Sequence, residues 1–387
     1  MKQIKLVFFF FFSTLFTQAQ QATISPFENV DKIAMKLPDS LAKTTQTIAN
    51  YMSAHFQNDS DKVRAIFAWT ASNIDYDAAN MFAINFYETK EEKIAKALAT
   101  KKGICENYAE VFSDICKKAG IESYVVGGYT KQNGFADYIP HAWCAARIDT
   151  SWFMFDPTWG SGYVREGKFY KKINNLFYKV KPITFIKSHM PFDYLWQFLN
   201  YPITNQDFYE GKVEPDESKK EFFNYRDSIA QYEKQDRIEQ LLSIKYRVER
   251  NGIKNSMIFD RLQHVKLEME HIRQNNMVGN FNTAVAEYNE GVVFYNDFIN
   301  YRNKQFTPAK PDAEIQTMLN FAKDKLVSAK ARLNAIKDAN DEVKSSTALL
   351  TKTIDDLYIQ VKEQQDWLKI YFSKGKLGRK LFFLKRG

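Results

Sequence analysis

The spacing of apolar residues changes within residues 101–163, and this change limits the possible folds more than any other feature of the chain. From Cys105 onward, apolar residues recur every three or four positions, and Gly120 follows the last of them. This pattern predicts a buried helix that begins at Cys105, because glycine commonly ends a helix. The spacing then becomes alternating, which predicts strands at 123–127, 142–148 and 152–156. We therefore expect an α+β domain with a helix packed on an antiparallel sheet.

A two-residue hairpin loop at 149–150 is predicted between the last two strands. Such a loop pairs Ile148 with Ser151 and fixes the register of the hairpin. In that register His141 lies one diagonal step from Asp156, and side chains on one face at that separation can touch. The imidazole and the carboxylate are therefore expected to meet on one face of the sheet.

The chain has three cysteines, Cys105, Cys116 and Cys144. An exported domain that depends on disulfides usually carries more cysteines, in an even number, so we expect a protein stabilised by its core. Strand alternation sends Cys144 to the opposite face from His141, which disfavours a bond between Cys105 and Cys144. A bond between Cys116 and Cys144 stays open.

The predicted helix start gives Cys105 a chemical role. The unsatisfied N–H groups of a helix N-terminus and a nearby imidazolium both favour a thiolate, which is the nucleophilic form of cysteine. His141 would transfer the proton and Asp156 would orient the imidazole, as in a nucleophilic triad. Each residue alone also has a structural interpretation, as a small apolar helix residue, a sheet histidine and a turn residue. Their order and shared face favour catalysis.

These segments resemble the core of the transglutaminase-like superfamily, a relative of the papain fold. The matching segments are GIC at 103–105, YA at 108–109, HAW at 141–143 and DPTWG at 156–160. Segments 64–69, 74–77 and 185–197 resemble the kyphoscoliosis-peptidase branch in particular. The resemblance covers roughly residues 61–208 and implies a triad of Cys105, His141 and Asp156 with no metal or organic cofactor.

Two departures from the family pattern touch the surroundings of the triad: Asn107 stands where glycine is expected, and Cys144 where asparagine is expected. Four aromatic residues near the motifs are predicted to line a substrate pocket, namely Trp69, Tyr108, Trp143 and Trp159. The backbone N–H of Cys105 is the first candidate oxyanion donor, with the indole of Trp69 or Trp143 as the second.

The family resemblance leaves the reaction open. A protease or amidase type of hydrolase acting on peptide or protein is the first interpretation. A cross-linking transglutaminase and a non-catalytic binding or scaffold protein are the alternatives. The absence of a calcium-ligand run disfavours a calcium-gated cross-linker, and the remaining histidines show no ligand spacing, so no metal site is expected.

Residues 1–19 have the layout of a secretory signal peptide, with a short basic region, an apolar run and a small-residue end. We therefore expect export to the periplasm or the extracellular space. The formal net charge of +8 over 387 residues is a modest excess, and nucleic acid is not an expected partner of an exported chain.

Composition and spacing change again beyond Pro215, where charged and amide residues dominate. A seam with alternating steps of four and three predicts a helical bundle or coiled coil of roughly three long helices, which could hold a protein partner. The seam consists of Phe281, Val285, Tyr288, Val292, Tyr295 and Ile299. We predict a transglutaminase-like domain at 20–212, a helical bundle at 213–373 and a basic tail at 374–387.

The basic tail has no acidic residue and could contact an anionic surface. Its cations are Lys374, Lys376, Arg379, Lys380, Lys385 and Arg386.

Overall fold

The structure, a computed structural model, describes residues 25–82, 88–132, 134–137, 139–214, 218, 221–337 and 339–384. The predicted signal peptide lies outside these residues. The chain divides into two compact units, Met1–Gln235 with Ser243–Leu262 and Asp236–Leu242 with Gln263–Gly387. The domain limits drawn from composition stay predictions. Within the described ranges, no helix combines the length and the apolar character needed to cross a membrane.

The first unit begins with helices that surround the predicted nucleophile helix. They are α1 (Glu28–Ala34), α2 (Thr45–His55), α3 (Asp59–Asn73), α4 (Lys90–Thr100) and α5 (Cys105–Lys118). Helix α5 begins at Cys105 as predicted, and Gly120 follows it with a φ of 84°. Between α3 and α5, the short parallel strands β1 (Asp75–Tyr76) and β2 (Lys102–Gly103) pair with each other.

A five-stranded antiparallel sheet packs against α5. Its strands are β3 (Ser123–Gln132), β4 (Phe135–Ala136), β5 (His141–Ile148), β6 (Ser151–Phe155) and β9 (His189–Pro191), in the order β4-β3-β5-β6 with β9 on β3. Ile148 pairs with Ser151, which confirms the predicted hairpin. Asp149 adopts a left-handed conformation in its loop (φ 56°), which aspartate tolerates better than most residues.

Strand β3 extends five residues beyond its predicted end at residue 127. The extra residues pair with β9 and β4. Gly128 permits this pairing, because a Cβ at this position would lie 2.2 Å from the carbonyl oxygen of Met190 and 2.4 Å from the ring of Trp143. A glycine inside a strand can thus mark close approach of another backbone as well as a turn.

Strand alternation on β5 gives the sheet two buried faces. Ala142, Cys144 and Ala146 pack in one core with α5, whereas Trp143 and Ala145 belong to a second core on the other face. The second core is covered by Phe185, Leu195, Phe198, Tyr225 and Ile229. These residues come from the segment that follows β6, which therefore wraps this face of the sheet.

The covering segment contains short elements rather than long ones. A hairpin of β7 (Gly162–Arg165) and β8 (Lys168–Lys171) comes first, and β9 follows after α6 (Pro182–Phe185). Helices α7 (Asn205–Glu210) and α8 (Tyr225–Tyr232) complete the segment.

Long helices make up most of the second unit. The chain continues through α9 (Arg237–Arg250) and α10 (Ser256–Asn303), which also supply Ser243–Leu262 to the first unit, and then through α11 (Asp312–Asn334), α12 (Asp341–Phe372) and α13 (Lys376–Leu384). Three of them exceed 20 residues, in agreement with the predicted bundle. The most buried line of α10 is Ala284, Gly291 and Phe298. Most of the predicted seam is half-buried beside it, against the core of the second unit.

One cation of the basic tail, Arg379, forms an ion pair with Asp312. Arg379 donates two hydrogen bonds to the carboxylate of Asp312, at 2.8 and 2.7 Å. Lys385 and Arg386 lie outside the described residues. Contact of this tail with an anionic surface stays a prediction.

One buried ion pair in the first unit generates a stability prediction. Arg247 donates from Nε and from a terminal guanidinium nitrogen to the carboxylate of Asp193, at 2.7 and 2.8 Å, and both residues are buried. Arg247→Met should cost about 3 kcal/mol or more of unfolding free energy, because it leaves a buried carboxylate without its partner. Urea unfolding followed by fluorescence would measure this loss.

A matched control lies in the second unit, where Arg237 forms a two-pronged pair with Glu268 at the surface. Arg237→Met should cost less than about 1 kcal/mol, because exposed ion pairs contribute little. Equal losses of unfolding free energy in the two variants would contradict the prediction. The double variant Arg247→Met with Asp193→Asn should be more stable than Arg247→Met alone, because it removes the unpaired charge, and a double variant that is no more stable would also contradict the prediction.

Candidate active site

Asn107 fixes the start of helix α5, and thereby the position of Cys105. Its Oδ1 accepts the backbone N–H of Ile104 at 2.9 Å, and its Nδ2 donates to the backbone oxygen of Lys93 on α4 at 3.0 Å. A Cβ on Gly103 would lie 2.5 Å from the Cβ of Asn107. The departure from glycine at position 107 therefore caps the nucleophile helix and requires a glycine at position 103.

His141 and Asp156 meet as predicted. His141 is the first residue of β5, Asp156 follows the last residue of β6, and His141 Nε2 lies 2.8 Å from Asp156 Oδ2. The other oxygen, Oδ1, accepts the backbone N–H groups of Thr158 and Trp159 at 2.9 and 3.0 Å. Burial raises the pKa of Asp156, but the charge and hydrogen bonds of His141 and of His189 outweigh burial and hold that pKa well below its usual range.

The imidazole of His141 interacts with Asp156 and with the side chain of Cys105. Burial lowers the pKa of His141, but the charge of Asp156 and the interactions with Asp156 and Cys105 raise it by a larger amount. The resulting pKa is about 10. His141 is therefore an imidazolium at neutral pH. Because its Nε2 faces Asp156, Nδ1 is the ring nitrogen left for Cys105.

A second histidine, which sequence analysis missed, contacts the same carboxylate. His189 Nε2 lies 3.2 Å from Asp156 Oδ2, and its Nδ1 lies 2.8 Å from the hydroxyl of Ser188. Burial lowers the pKa of His189 to about 4, although Asp156 offsets part of the effect. The ring is therefore neutral at neutral pH. Spacing in the sequence gave no signal for it, because β9 reaches the site only by pairing with β3.

His141, Asp156 and His189 place three ligand atoms within 4.8 Å of one another. Imidazole and carboxylate are the donors that Zn²⁺ accepts. A metal would have to displace the N–H protons through which both rings reach Asp156 Oδ2. The hydrogen-bond network accounts for this grouping without an ion.

The thiol lies at a cleft of about 590 Å³. Cys105, His141 and Trp159 contribute to its wall, and apolar side chains cover much of the remainder. These apolar residues are Met81, Ile139, Val164, Phe169 and Phe177.

Of the four aromatic residues predicted for the pocket, only Trp159 is among the described lining residues. Trp69 is buried in the core around α5, and Tyr108 in the same core donates its hydroxyl to the carbonyl oxygen of Ile74 at 2.6 Å. Trp143 is buried on the other face of the sheet, where Phe185 packs against it. Trp69, Tyr108 and Trp143 are therefore core residues rather than pocket residues. The indoles of Trp69 and Trp143 do not line the cleft, so they are not placed to donate to an oxyanion there.

Tyr76 lines the cleft, although it was not among the aromatic residues predicted for the pocket. Its strand β1 pairs with β2, with Tyr76 opposite Gly103, and this pairing brings the ring close to Cys105. Burial raises the pKa of Tyr76 to about 12, with smaller contributions from Cys105, Asp156 and Asp77. The phenol is therefore a neutral hydrogen-bond donor at the cleft.

The other two cysteines are buried free thiols away from the cleft. Cys144 faces α5 and donates from Sγ to the backbone oxygen of Ala109 at 3.2 Å, which confirms that it points away from His141. Burial raises the pKa of both Cys116 and Cys144. Neither thiol is therefore a competing nucleophile at neutral pH.

Opposite pKa shifts of the two histidines generate a spectroscopic prediction. His141 should remain protonated from pH 6 to beyond pH 8, and His189 should remain neutral down to about pH 5, because Asp156 and burial act on them with different weights. Ring ¹⁵N shifts measured across a pH titration would assign both states. In Asp156→Asn the pKa of His141 should fall, since its charged partner is gone. An unchanged titration in that variant would contradict this account.

The pair Gly103 and Asn107 gives a structural prediction. Gly103→Ala should destabilise the first unit by about 1–3 kcal/mol, because its Cβ cannot fit against Asn107. In an Asn107→Gly background, Gly103→Ala should lower the stability distinctly less, because the side chain that its Cβ meets is gone. Asn107→Gly is itself destabilising, because it loses the hydrogen bonds at the helix start. Thermal unfolding of the two single variants and the double variant would measure the coupling. Additive losses would contradict it.

Comparison with known proteins gives consistent results. The sequence model of the transglutaminase-like superfamily matches residues 46–157. Human kyphoscoliosis peptidase is 33% identical over 174 residues, which cover 43% of this chain and 25% of the relative. Hillarin from Drosophila melanogaster is 24% identical over 204 residues, which cover 47% of this chain and 24% of the relative. The match thus spans about a quarter of the length of these relatives.

A solved structure described as a TGase is also similar, with 20% sequence identity, a TM-score of 0.24 and coverage of 40% of this chain and 37% of that chain. The family match and the order of helix α5 and strands β3 to β6 agree on the same fold. The chain therefore contains a transglutaminase-like domain, followed by long helices.

Proposed function

We propose that the protein is a thiol-dependent acyl-transfer enzyme that acts on peptide or protein amides through Cys105, His141 and Asp156. The observation that supports this most is the 2.8 Å hydrogen bond between His141 and the buried carboxylate of Asp156, together with the position of Cys105 and His141 on the wall of the same cleft. Nucleophile, base and orienting group are the parts that covalent amide chemistry requires.

In the proposed reaction, Cys105 Sγ attacks the carbonyl carbon of the amide and forms a tetrahedral oxyanion. The imidazolium of His141 then gives its proton to the leaving nitrogen, the C–N bond breaks, and an acyl thioester with Cys105 remains. His141, now neutral, takes a proton from the incoming water or amine as that acceptor attacks the thioester carbon and forms a second tetrahedral oxyanion. This oxyanion collapses, the C–S bond breaks, the acid or the new amide leaves, and Cys105 returns to a thiolate beside the imidazolium. Asp156 keeps its charge throughout and stabilises the imidazolium each time it forms.

Two donors are available for the oxyanion. The backbone N–H of Cys105 lies in the first turn of α5, where amide groups have no acceptor within the helix. The phenol of Tyr76 at the cleft is the second, and its raised pKa keeps its proton in place. Tyr76 thus takes the place of the indoles of Trp69 and Trp143, which were the second candidates from the sequence, whereas the N–H of Cys105 was already the first.

Hydrolysis is the proposed outcome, with water as the acceptor. Transamidation differs only in the second acceptor, so the same site would support cross-linking if an amine reached the thioester. We also propose that the protein acts outside the cytoplasm, because residues 1–19 have the layout of a signal peptide. N-terminal sequencing of the protein from its native host should then begin close to residue 20, and a retained Met1 would contradict export by this route.

Alkylation by iodoacetamide tests the reactive thiol. Wild-type protein should react at Cys105 faster than free cysteine at pH 7, and His141→Ala should slow this reaction on the order of 100-fold, because the imidazolium no longer stabilises the thiolate. Cys105→Ala should remove the fast phase. Cys116→Ala and Cys144→Ala serve as matched controls that should leave it unchanged, since both thiols are buried. A wild-type thiol no faster than free cysteine would leave a non-catalytic scaffold as the better interpretation.

Incubation with a glutamine-containing peptide and a labelled primary amine tests the reaction class. Mass spectrometry should detect cleavage or deamidation by water in the wild type and no product in Cys105→Ala. Incorporation of the amine in preference to water would replace hydrolysis with cross-linking. No product of either kind, together with a slow thiol, would contradict the enzymatic proposal.

A further inference from the structure

We infer that His189 is a positioning residue of the catalytic triad, which holds Asp156 in the orientation that His141 requires. This inference rests on the proposed function of Cys105, His141 and Asp156. It concerns a residue outside the segment that matches the superfamily, because that match ends at residue 157.

The carboxylate of Asp156 is held at both oxygens. Oδ1 accepts two backbone N–H groups from its own turn, whereas Oδ2 accepts from His141 at 2.8 Å and from His189 at 3.2 Å. Without His189, one of the two donors to Oδ2 is lost and rotation of the carboxylate is resisted only by the turn and by His141. The side chain of Asp156 has no exposed surface, so water cannot readily supply the missing donor.

The tautomer of His189 follows from its two partners. An ionised carboxylate can only accept, so Nε2 carries the proton that reaches Asp156, and Nδ1 accepts from the hydroxyl of Ser188. The ring has no exposed surface and stacks on Phe185 with centroids 3.9 Å apart. Trp159 meets it edge-on at 4.8 Å. These contacts fix the ring plane and therefore the direction of the N–H.

Charge explains why a neutral histidine suits this position. Asp156, His141 and, more weakly, Asp137 are the charged groups that act on His189. A second imidazolium beside His141 would compete for the same carboxylate and weaken its attraction for the first. A neutral ring donates a hydrogen bond without adding that charge, so Asp156 can serve His141 as an undivided counter-ion.

Two substitutions separate the hydrogen bond from the shape of the ring. His189→Phe keeps an aromatic ring against Phe185 and removes the donor. His189→Gln loses the ring, but its terminal amide nitrogen can occupy the place of Nε2 and donate to Asp156. In the full-length protein, iodoacetamide alkylation of Cys105 would be measured across pH for wild type and both variants, with thermal unfolding to establish that each is folded.

His189→Phe should slow alkylation of Cys105 at pH 7 on the order of tenfold. This factor is the lower end of the loss seen when a residue that orients a metal-binding side chain is removed, which is a comparable positioning role. It should also lower the pH at which the His141 imidazolium loses its proton, because an Asp156 carboxylate that is less firmly oriented stabilises the imidazolium less. His189→Gln should restore most of both properties. Wild-type rate and pH profile in folded His189→Phe would overturn the inference, and equal loss in His189→Gln would assign the effect to the ring rather than to its N–H.

Failure of the proposed function gives a different result. In that case the wild-type thiol itself reacts no faster than free cysteine, and the His189 variants show no further decrease in the alkylation rate. A fast wild-type thiol that is unaffected by His189→Phe removes only the role of His189. Ring ¹⁵N shifts of His141 in the same variants provide a readout that a general loss of stability would not move.

Discussion

Burial of the Asp156 carboxylate is the constraint on which the geometry of the candidate site depends. A charged group without solvent contact costs several kcal/mol unless hydrogen bonds replace its water. Here the replacement comes from three places in the chain: the turn that follows β6, the first residue of β5 and the short strand β9. The position of each of these segments is therefore tied to the ionised state of one side chain.

Local patterns in the sequence predicted the elements whose hydrogen bonds are local. Helix α5 and the hairpin of β5 and β6 begin and end within one residue or so of their expected limits, because 3.6-residue and two-residue periods encode burial directly. The same alternation placed His141 and Asp156 on one face and Cys144 on the other. Register in a two-residue hairpin is set by the loop, so the prediction could extend as far as a contact between side chains.

Features that depend on distant pairing could not be obtained in this way. His189 reaches Asp156 only because β9 pairs with β3, and Tyr76 reaches the cleft because β1 pairs with β2. The predicted strand ended at residue 127, whereas Gly128 lets β3 continue and another strand approach it. The aromatic residues Trp69 and Trp143 fit a pocket as well as a core on sequence alone, and only the packing of neighbouring segments buries them.

The position of β9 has a consequence for where the working unit of the chain ends. The segment that matches the superfamily stops one residue after Asp156, yet His189 and the residues that cover the second face of the sheet follow it, as far as Ile229. A fragment cut at the family boundary would keep all three residues of the proposed triad and lose the ring beside the carboxylate and one wall of the core. The limit of the family model and the limit of the packed structure therefore differ in this protein.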